Sequence, residues 1–158
     1  IFRNFDGLAD IQRQALENFQ PRFEHLFVVD DADRSRAERI QAHVRARVDL
    51  LAAAGGLLRV ARARTLDHTP ILEGVARLRG QFADQTRLRF ALEIEQLSPA
   101  EAANLCALID ATTSPDAFDV MSGAHARAPR QISKTWITAL DALLAQWVPG
   151  PQRTEQTT

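Results

Sequence analysis

The sequence predicts an all-α fold. Alanine, leucine, arginine, glutamate and glutamine, which all favour helices, dominate its 158 residues. The chain has only seven glycines and no tyrosine, and it lacks long runs of β-branched residues. Apolar residues recur at spacings of three and four, the repeat of a helix with one buried face. At this length, with 46% hydrophobic residues, we expect one domain around one core.

The first predicted helix follows Asp6, which can cap it, and Pro21 weakens its last turn. Its apolar face consists of Leu8, Ile11, Ala15, Leu16 and Phe19. The polar stretch VVDDADRS is a predicted linker, and Ser35 with Glu38 forms a capping box for the second helix. That helix carries the stripe Ile40, Val44, Val48 and Leu51. The pair Gly55–Gly56 is expected to end it, before a short helix over residues 57–61.

The next helix starts at Thr69–Pro70 and should be the longest, running to about Gln96. Its predicted apolar face is Ile71, Val75, Leu78, Phe82, Leu88 and Leu92. Ser98 to Glu101, with the sequence SPAE, combines a capping box with proline at the first helical position. The helix that follows presents Ala102, Leu105, Cys106, Ile109 and Thr112.

Two further segments complete the predicted fold. Ser114–Pro115 starts a helical segment that ends at Gly123, and the last helix begins after Pro129. The last helix carries a continuous apolar stripe of Ile132, Trp136, Leu140, Leu143, Leu144 and Trp147. Residues 149–158 are polar and predict a disordered tail.

Composition narrows the functional class. A net charge of −1 argues against a surface that holds a polyanion by itself. With Cys106 as the single cysteine, no disulfide can form within one chain, which favours a reducing, cytoplasmic location. No apolar run approaches the roughly 20 residues that span a bilayer, so no membrane partner is expected.

Enzyme signatures are absent from the sequence. It has no GxSxG, no GxxxxGK[ST], no HExxH and no Glu-x-x-His spacing. Cys106 lies between apolar neighbours and is interpreted as a packed thiol. His43 lies beside an apolar stripe and is interpreted as a structural histidine, with ligand contact as the alternative. We therefore predict a protein that is not an enzyme and needs no metal or cofactor.

The first 19 residues, IFRNFDGLADIQRQALENF, resemble a junction in the TetR family of bacterial repressors. In that family an aromatic-x-x-Phe signature ends the recognition helix, and a turn leads into a long fourth helix. Phe2 and Phe5 match the two aromatic positions, and Asn4 stands where histidine is common. Leu8 replaces a lysine that meets a DNA phosphate in many members. The resemblance implies that residues 1–6 are the end of a helix-turn-helix domain whose remainder is missing, with DNA contacts at Phe2, Arg3, Asn4 and Phe5.

The stretch from Ser98 to Trp147 resembles the last two helices of TetR-type regulatory domains, although Ser114-Pro115-Asp116-Ala117 replaces the usual Ser-Trp-Glu-Ala motif. The resemblance implies that residues 7–148 form a ligand-binding and dimerisation domain. Two chains would form a homodimer through a four-helix bundle and read a palindrome in double-stranded operator DNA. The expected interface is Leu105, Ile109, Ile132, Trp136, Leu140, Leu143, Leu144 and Trp147; the alternative is that this stripe covers the chain's own core.

Effectors of this family usually bind between the middle helices. The expected lining is Leu51, Leu58, Leu78, Phe82, Leu92 and Phe118, with His43 and Asn104 as polar contacts. The shortage of charged residues on the inward faces favours a small apolar effector that alters operator affinity. Two other hypotheses stay open: a helical dimeric binding module without DNA recognition, and a small all-α enzyme.

Overall fold

The computed structural model describes residues 14, 18, 21–63 and 69–148. Within these ranges the chain is helical and contains no strand, which confirms the all-α prediction. Its main helices are α1 Arg36–Ala63, α2 Thr69–Arg89, α3 Ala91–Ile94, α4 Pro99–Thr112, α5 Pro115–Asp119 and α6 Pro129–Trp147. A 3₁₀ turn at Glu24–Leu26 precedes α1, and a π-helical turn at Val120–Ala124 follows α5. The predicted end of a helix-turn-helix at residues 1–6 and the predicted tail at 149–158 lie outside the described residues.

Serine caps begin three helices where the sequence predicted them. The N–H of Ser35 donates to the Glu38 carboxylate at 3.0 Å, and the N–H of Glu38 donates to the Ser35 hydroxyl oxygen at 3.3 Å. Ser98 and Glu101 repeat this capping box at 3.0 and 3.4 Å. The Ser114 hydroxyl oxygen accepts from the N–H three residues on, at 3.0 Å. Each cap satisfies backbone donors that the first turn of a helix leaves without partners.

The first long helix is continuous where the sequence predicted a stop. α1 passes through Gly55 and Gly56 and ends at Ala63, so the predicted end and the separate short helix are wrong. Each glycine costs a helix about 1 kcal/mol relative to alanine. Leu51 and Leu58, on either side of the pair, are both buried. A fully buried leucine contributes about 1.5–3 kcal/mol, which offsets the cost of the glycines.

The second long helix is shorter than predicted. α2 ends at Arg89 instead of near Gln96, because Phe90 leaves the helical conformation with φ −108° and ψ 24°. The Phe90 side chain is fully buried, whereas Leu88 and Leu92 are 59% and 49% exposed. The prediction that these two leucines lie on the apolar face is wrong: Leu88 lies six residues after Phe82, on another side of α2, and Leu92 follows the break at Phe90.

α1 lies at the centre of the fold. It packs against α6, α2 and α5, while α4 packs against α2 and α6. The predicted stripe of Ile40, Val44, Val48 and Leu51 is buried, which confirms that face of α1. The largest buried apolar side chains are Leu50, Phe90, Leu105, Ile109, Ile132, Trp136, Leu140 and Leu144, together with members of that stripe. One core therefore joins all the long helices.

Candidate functional site

A pocket of about 260 Å³ opens between α1, α2 and the junction of α4 with α5. Its apolar wall consists of Leu58, Val75, Leu78 and Phe82. Its polar lining consists of Arg79, Asp110, Ser114 and Asp116, with Pro115 between the last two. An apolar wall with a few polar groups is the usual composition of a small-molecule site.

The cap that starts α5 shapes one side of this pocket. Ser114 has the extended backbone of an N-cap, with φ −75° and ψ 161°, and Pro115 occupies the first helical position. Proline fits there because its missing N–H would have no helical partner. The short connection from α4 to α5 therefore places Ser114, Pro115 and Asp116 opposite the apolar residues of α2.

Asp110 connects the pocket to buried residues of α1 and α2 by hydrogen bonds. Its Oδ1 accepts a hydrogen bond from the Thr86 hydroxyl at 2.6 Å and another from the Arg47 guanidinium at 3.0 Å. The Asp110 side chain remains 26% exposed, whereas that of Arg47 is 2% exposed. One carboxylate thus joins α4 to α1 and α2 while it also lines the pocket.

Arg47 is a buried cation with an unusual environment. Its guanidinium lies over the Phe82 ring, 3.7 Å from the ring centroid, and also donates to the Phe82 carbonyl oxygen at 2.9 Å. Burial lowers the pKa of Arg47 from its ordinary value to about 9; the charge of Asp110 opposes this shift and that of Arg89 adds to it. Arg47 therefore keeps its proton at pH 7 and neutralises Asp110.

A row of buried polar residues extends from Arg47 along α1. Arg39, His43 and Arg47 are four residues apart, so they lie on one face of the helix. They meet Thr86, Arg89 and Glu93 from α2 and α3, which are also buried. We call these six residues the polar core: Arg39, His43, Arg47, Thr86, Arg89 and Glu93.

Glu93 closes the far end of the polar core. Arg39 donates to both of its carboxylate oxygens, at 2.6 and 2.7 Å, and Arg36 donates at 3.1 Å. Burial by itself would raise the pKa of Glu93, but the hydrogen bonds and charges of Arg39 and Arg36 hold the pKa below its ordinary value. Arg36 also donates to the Val148 carbonyl at 3.0 Å, which fixes the end of α6.

His43 is a neutral member of the polar core. Its Nε2 lies 3.4 Å from the Thr113 hydroxyl oxygen, and its ring packs on Phe90 at a centroid distance of 5.3 Å. Burial lowers the pKa of His43 well below its usual value, and the charges of Arg47 and Arg89 lower it further. Its placement agrees with the interpretation as a structural histidine.

The polar core and the neighbouring Gln85 hold the segment that precedes α1. Gln85, next to Thr86 on α2, donates to the Leu26 carbonyl at 2.6 Å. Arg89 donates to the Asp31 carboxylate at 2.9 Å, and Arg39 donates to the Arg34 carbonyl at 3.0 Å. Residues 26–34 are thereby attached to α1 and α2 by directional bonds.

The predicted effector-lining residues divide into three groups. Leu58, Leu78 and Phe82 line the pocket. Leu51, Phe118 and His43 are buried elsewhere in the core. Leu92 is half exposed and Asn104 is exposed, and neither lines the pocket. Leu92 follows the break at Phe90, and Asn104 lies on the face of α4 opposite Leu105 and Ile109.

The expected dimer stripe lies mainly inside the chain's own core. Six of its members are buried by neighbouring helices of the same chain: Leu105, Ile109, Ile132, Trp136, Leu140 and Leu144. Only Leu143 and Trp147 keep part of their surface exposed. The six buried side chains cannot form a surface for a second chain, so their assignment to the interface is wrong and the alternative, a stripe that covers the core, is correct.

The remaining predicted residues contribute no functional group to the pocket. The expected DNA contacts Phe2, Arg3, Asn4 and Phe5 lie outside the described residues. Cys106 is buried, and burial raises the pKa of its thiol, which agrees with a packed cysteine. Among the described residues, no group of three or more metal-ligating side chains comes together. In the same ranges, no helix is both long and apolar enough to cross a membrane.

Sequence reasoning missed the polar half of the site. Arg47, Arg79, Asp110 and Asp116 were not among the predicted contacts, and Ser114 was identified only as a cap. The spacing of Arg39, His43 and Arg47 carries a signal, because it places three polar residues in a row beside an apolar stripe. Asp110 has no such signal, since its partner Arg47 is 63 residues away.

No family model, curated protein or solved structure matches this chain. Any functional assignment therefore depends on its own residues and on the arrangement of the pocket and the polar core.

Proposed function

We propose that this chain is the effector-binding and dimerising part of a TetR-like transcriptional repressor. As a homodimer the protein binds palindromic double-stranded operator DNA, and a small molecule in the pocket changes its operator affinity. The observation that carries the proposal is that α2 bonds to the pocket residue Asp110 through Thr86 and to residues 26–34 through Gln85 and Arg89. The sequence likeness at residues 1–19 and 98–147 supports the DNA-binding and dimerising roles.

The connection runs along α2. Asp110 in the pocket bonds to Thr86, which lies one residue after Gln85 and three before Arg89. Gln85 and Arg89 hold residues 26–34, which connect to the N-terminal part of the chain. A ligand that prefers one position of α2 would shift residues 26–34 with it. It can do so only to the extent that it binds the two positions with different affinity.

The dimer would use the outward faces of α4 and α6, because their inward faces are covered. These faces carry small, uncharged, exposed residues: Ala103, Ala107, Ala111, Thr138 and Ala142. α4 and α6 pack against each other, so the two faces can form one surface. A twofold dimer through this surface is isologous, with the same patch on both chains. It would set two recognition helices about 34–36 Å apart.

A mobility-shift assay tests DNA binding. The intact natural protein is titrated onto the DNA upstream of its own gene, at two salt concentrations and with unrelated competitor DNA. We expect a discrete shift that survives the competitor. A shift that the competitor abolishes, or no shift, would contradict the proposal and favour a helical binding module without DNA recognition.

Sedimentation tests the dimer separately. Ala107→Arg places a charge at the centre of the outward face of α4, whereas Ala53→Arg places the same charge on an exposed position of α1. We expect a dimer for the unchanged protein and for Ala53→Arg, and a monomer for Ala107→Arg. A dimer that tolerates Ala107→Arg would contradict this interface.

A further inference from the structure

The volume, the apolar wall and the charged residues of the pocket indicate which class of ligand it binds. We propose that it selects a neutral molecule with a single ring and one hydrogen-bond donor, such as a substituted phenol. The inference rests on the proposed function in one respect, because it treats this pocket as the effector site.

The size of the pocket suits a ligand with one ring. Its volume of about 260 Å³ exceeds the ~150 Å³ of a cavity that holds benzene. It falls below the roughly 300–1,000 Å³ of pockets for drug-sized molecules. A benzene ring with one or two small substituents therefore fits in the site.

The wall on α2 suits an apolar ring. Val75, Leu78 and Phe82 are three and four residues apart, so they form one continuous face, and Leu58 of α1 extends it. All four side chains are buried by the protein around the pocket. Displacing water from such a wall favours binding in proportion to the apolar area covered.

Charged side chains of both signs line the pocket. Two carboxylates, Asp110 and Asp116, line it, and Arg79 lines it as well. Arg47 lies behind Asp110 and neutralises it. A charged ligand would lose part of its hydration shell on entering the pocket. A neutral ligand avoids that cost.

Asp110 defines the polar end of the ligand. Its Oδ1 is already engaged by Arg47 and Thr86, and among the described residues nothing donates to Oδ2. An ionised carboxylate can only accept hydrogen bonds. Asp110 lines the pocket and its side chain is 26% exposed, so a donor in the pocket can reach its carboxylate. A phenol supplies that donor and stays neutral at pH 7, since its pKa is close to the value of about 10 for tyrosine.

Four probes of similar shape test the donor and the charge of the ligand separately. p-Cresol is a neutral donor, toluene lacks the donor, p-toluate is an anion and 4-methylbenzylamine is a cation. Their dissociation constants for the chain are measured by calorimetry and checked by thermal shift. We expect p-cresol to bind at least about tenfold more tightly than toluene, from one hydrogen bond to a charged acceptor. We expect both charged probes to bind at least about tenfold more weakly than p-cresol. A charged probe that binds best, equal binding of toluene and p-cresol, or no binding of any probe would overturn the inference.

Substitutions locate the probe and test the charge balance. Val75→Phe fills the pocket and should abolish p-cresol binding, whereas Val60→Phe, at an exposed position of α1, should leave it unchanged. Asp110→Asn removes the acceptor charge and should reverse the preference towards p-toluate. If Asp110→Asn does not fold, Asp116→Asn makes the same change of charge at an exposed position and should also favour p-toluate. Retained p-cresol binding in folded Val75→Phe, or no gain for p-toluate in either folded asparagine variant, would overturn the inference.

The binding series and the mobility-shift assay fail independently. If p-cresol ranks first and the intact protein shows no specific DNA shift, the ligand class stands and the repressor proposal fails. If the intact protein binds its operator and p-toluate ranks first, the repressor proposal stands and the ligand class is wrong.

Discussion

Neutralising Glu93 should strongly destabilise the fold. In Glu93→Gln the amide keeps one acceptor oxygen but loses the charge that balances Arg39, whose side chain is only 3% exposed. The two short bonds from Arg39, at 2.6 and 2.7 Å, and the bond from Arg36, at 3.1 Å, are weakened together. Breaking a buried ion pair by removing one partner costs about 3–5 kcal/mol. The retained amide oxygen places the expected loss near the lower limit, at about 3 kcal/mol.

Urea unfolding measures this loss directly. Trp136 is buried against Phe118, so its fluorescence reports the loss of the core. With a slope of about 2 kcal/mol per molar urea, the expected shift of the midpoint is about 1.5 M. The matched control is Glu95→Gln, the same substitution at an exposed position two residues later, which should shift the midpoint little.

A double variant refines the test of the Glu93 ion pair. Arg39→Met with Glu93→Leu removes both members of the buried pair, and the remaining Arg36 has a side chain that is 26% exposed and can turn to water. The double variant should therefore lose less stability than Glu93→Gln alone. A loss below about 1 kcal/mol for Glu93→Gln, or a double variant less stable than this single one, would refute the reasoning from burial.

Three further predictions concern other parts of the fold. Because His43 stays neutral when buried while the unfolded chain takes up a proton below about pH 6.5, stability should fall by about 1.4 kcal/mol from pH 7.5 to 5.5. Urea titrations at both pH values should show this fall for the unchanged chain and a smaller one for His43→Leu. Ala126 has a positive φ of 49°, so Ala126→Gly should raise the melting temperature, whereas Ala53→Gly within α1 should lower it. Leu140→Ala should cost about 2–5 kcal/mol at every protein concentration, and Leu108→Ala, at an exposed position, much less.

The beginnings of the helices could be predicted because their signals are local. A serine and the glutamate three residues after it belong to the same turn, so Ser35 and Ser98 form their capping boxes whatever lies around them. The stop predicted at Gly55–Gly56 is wrong for the opposite reason. A helix continues through glycine when distant elements bury the residues on either side, and a sequence pattern does not contain that information.

The apolar stripe of α6 shows a second limit of sequence reasoning. A stripe such as Ile132, Trp136, Leu140 and Leu144 predicts that one face of a helix is covered, and that face is buried. The pattern does not distinguish a cover made by the same chain from one made by a second chain, because both exclude water equally. The position of α1 across this face decides the question.

The polar half of the pocket illustrates why sites are harder to predict than cores. An apolar side chain can pack against many different neighbours, so Leu58, Leu78 and Phe82 could be predicted as pocket-lining residues from their spacing alone. A buried arginine requires a particular partner, and the partner of Arg47 becomes evident only when the fold brings Asp110 of α4 to it. Ion pairs of this kind add little net stability compared with an apolar core of the same volume. Their directional bonds instead favour one alignment of α1, α2 and α4. A ligand that donates to Asp110 therefore acts on the group that fixes the alignment of these helices.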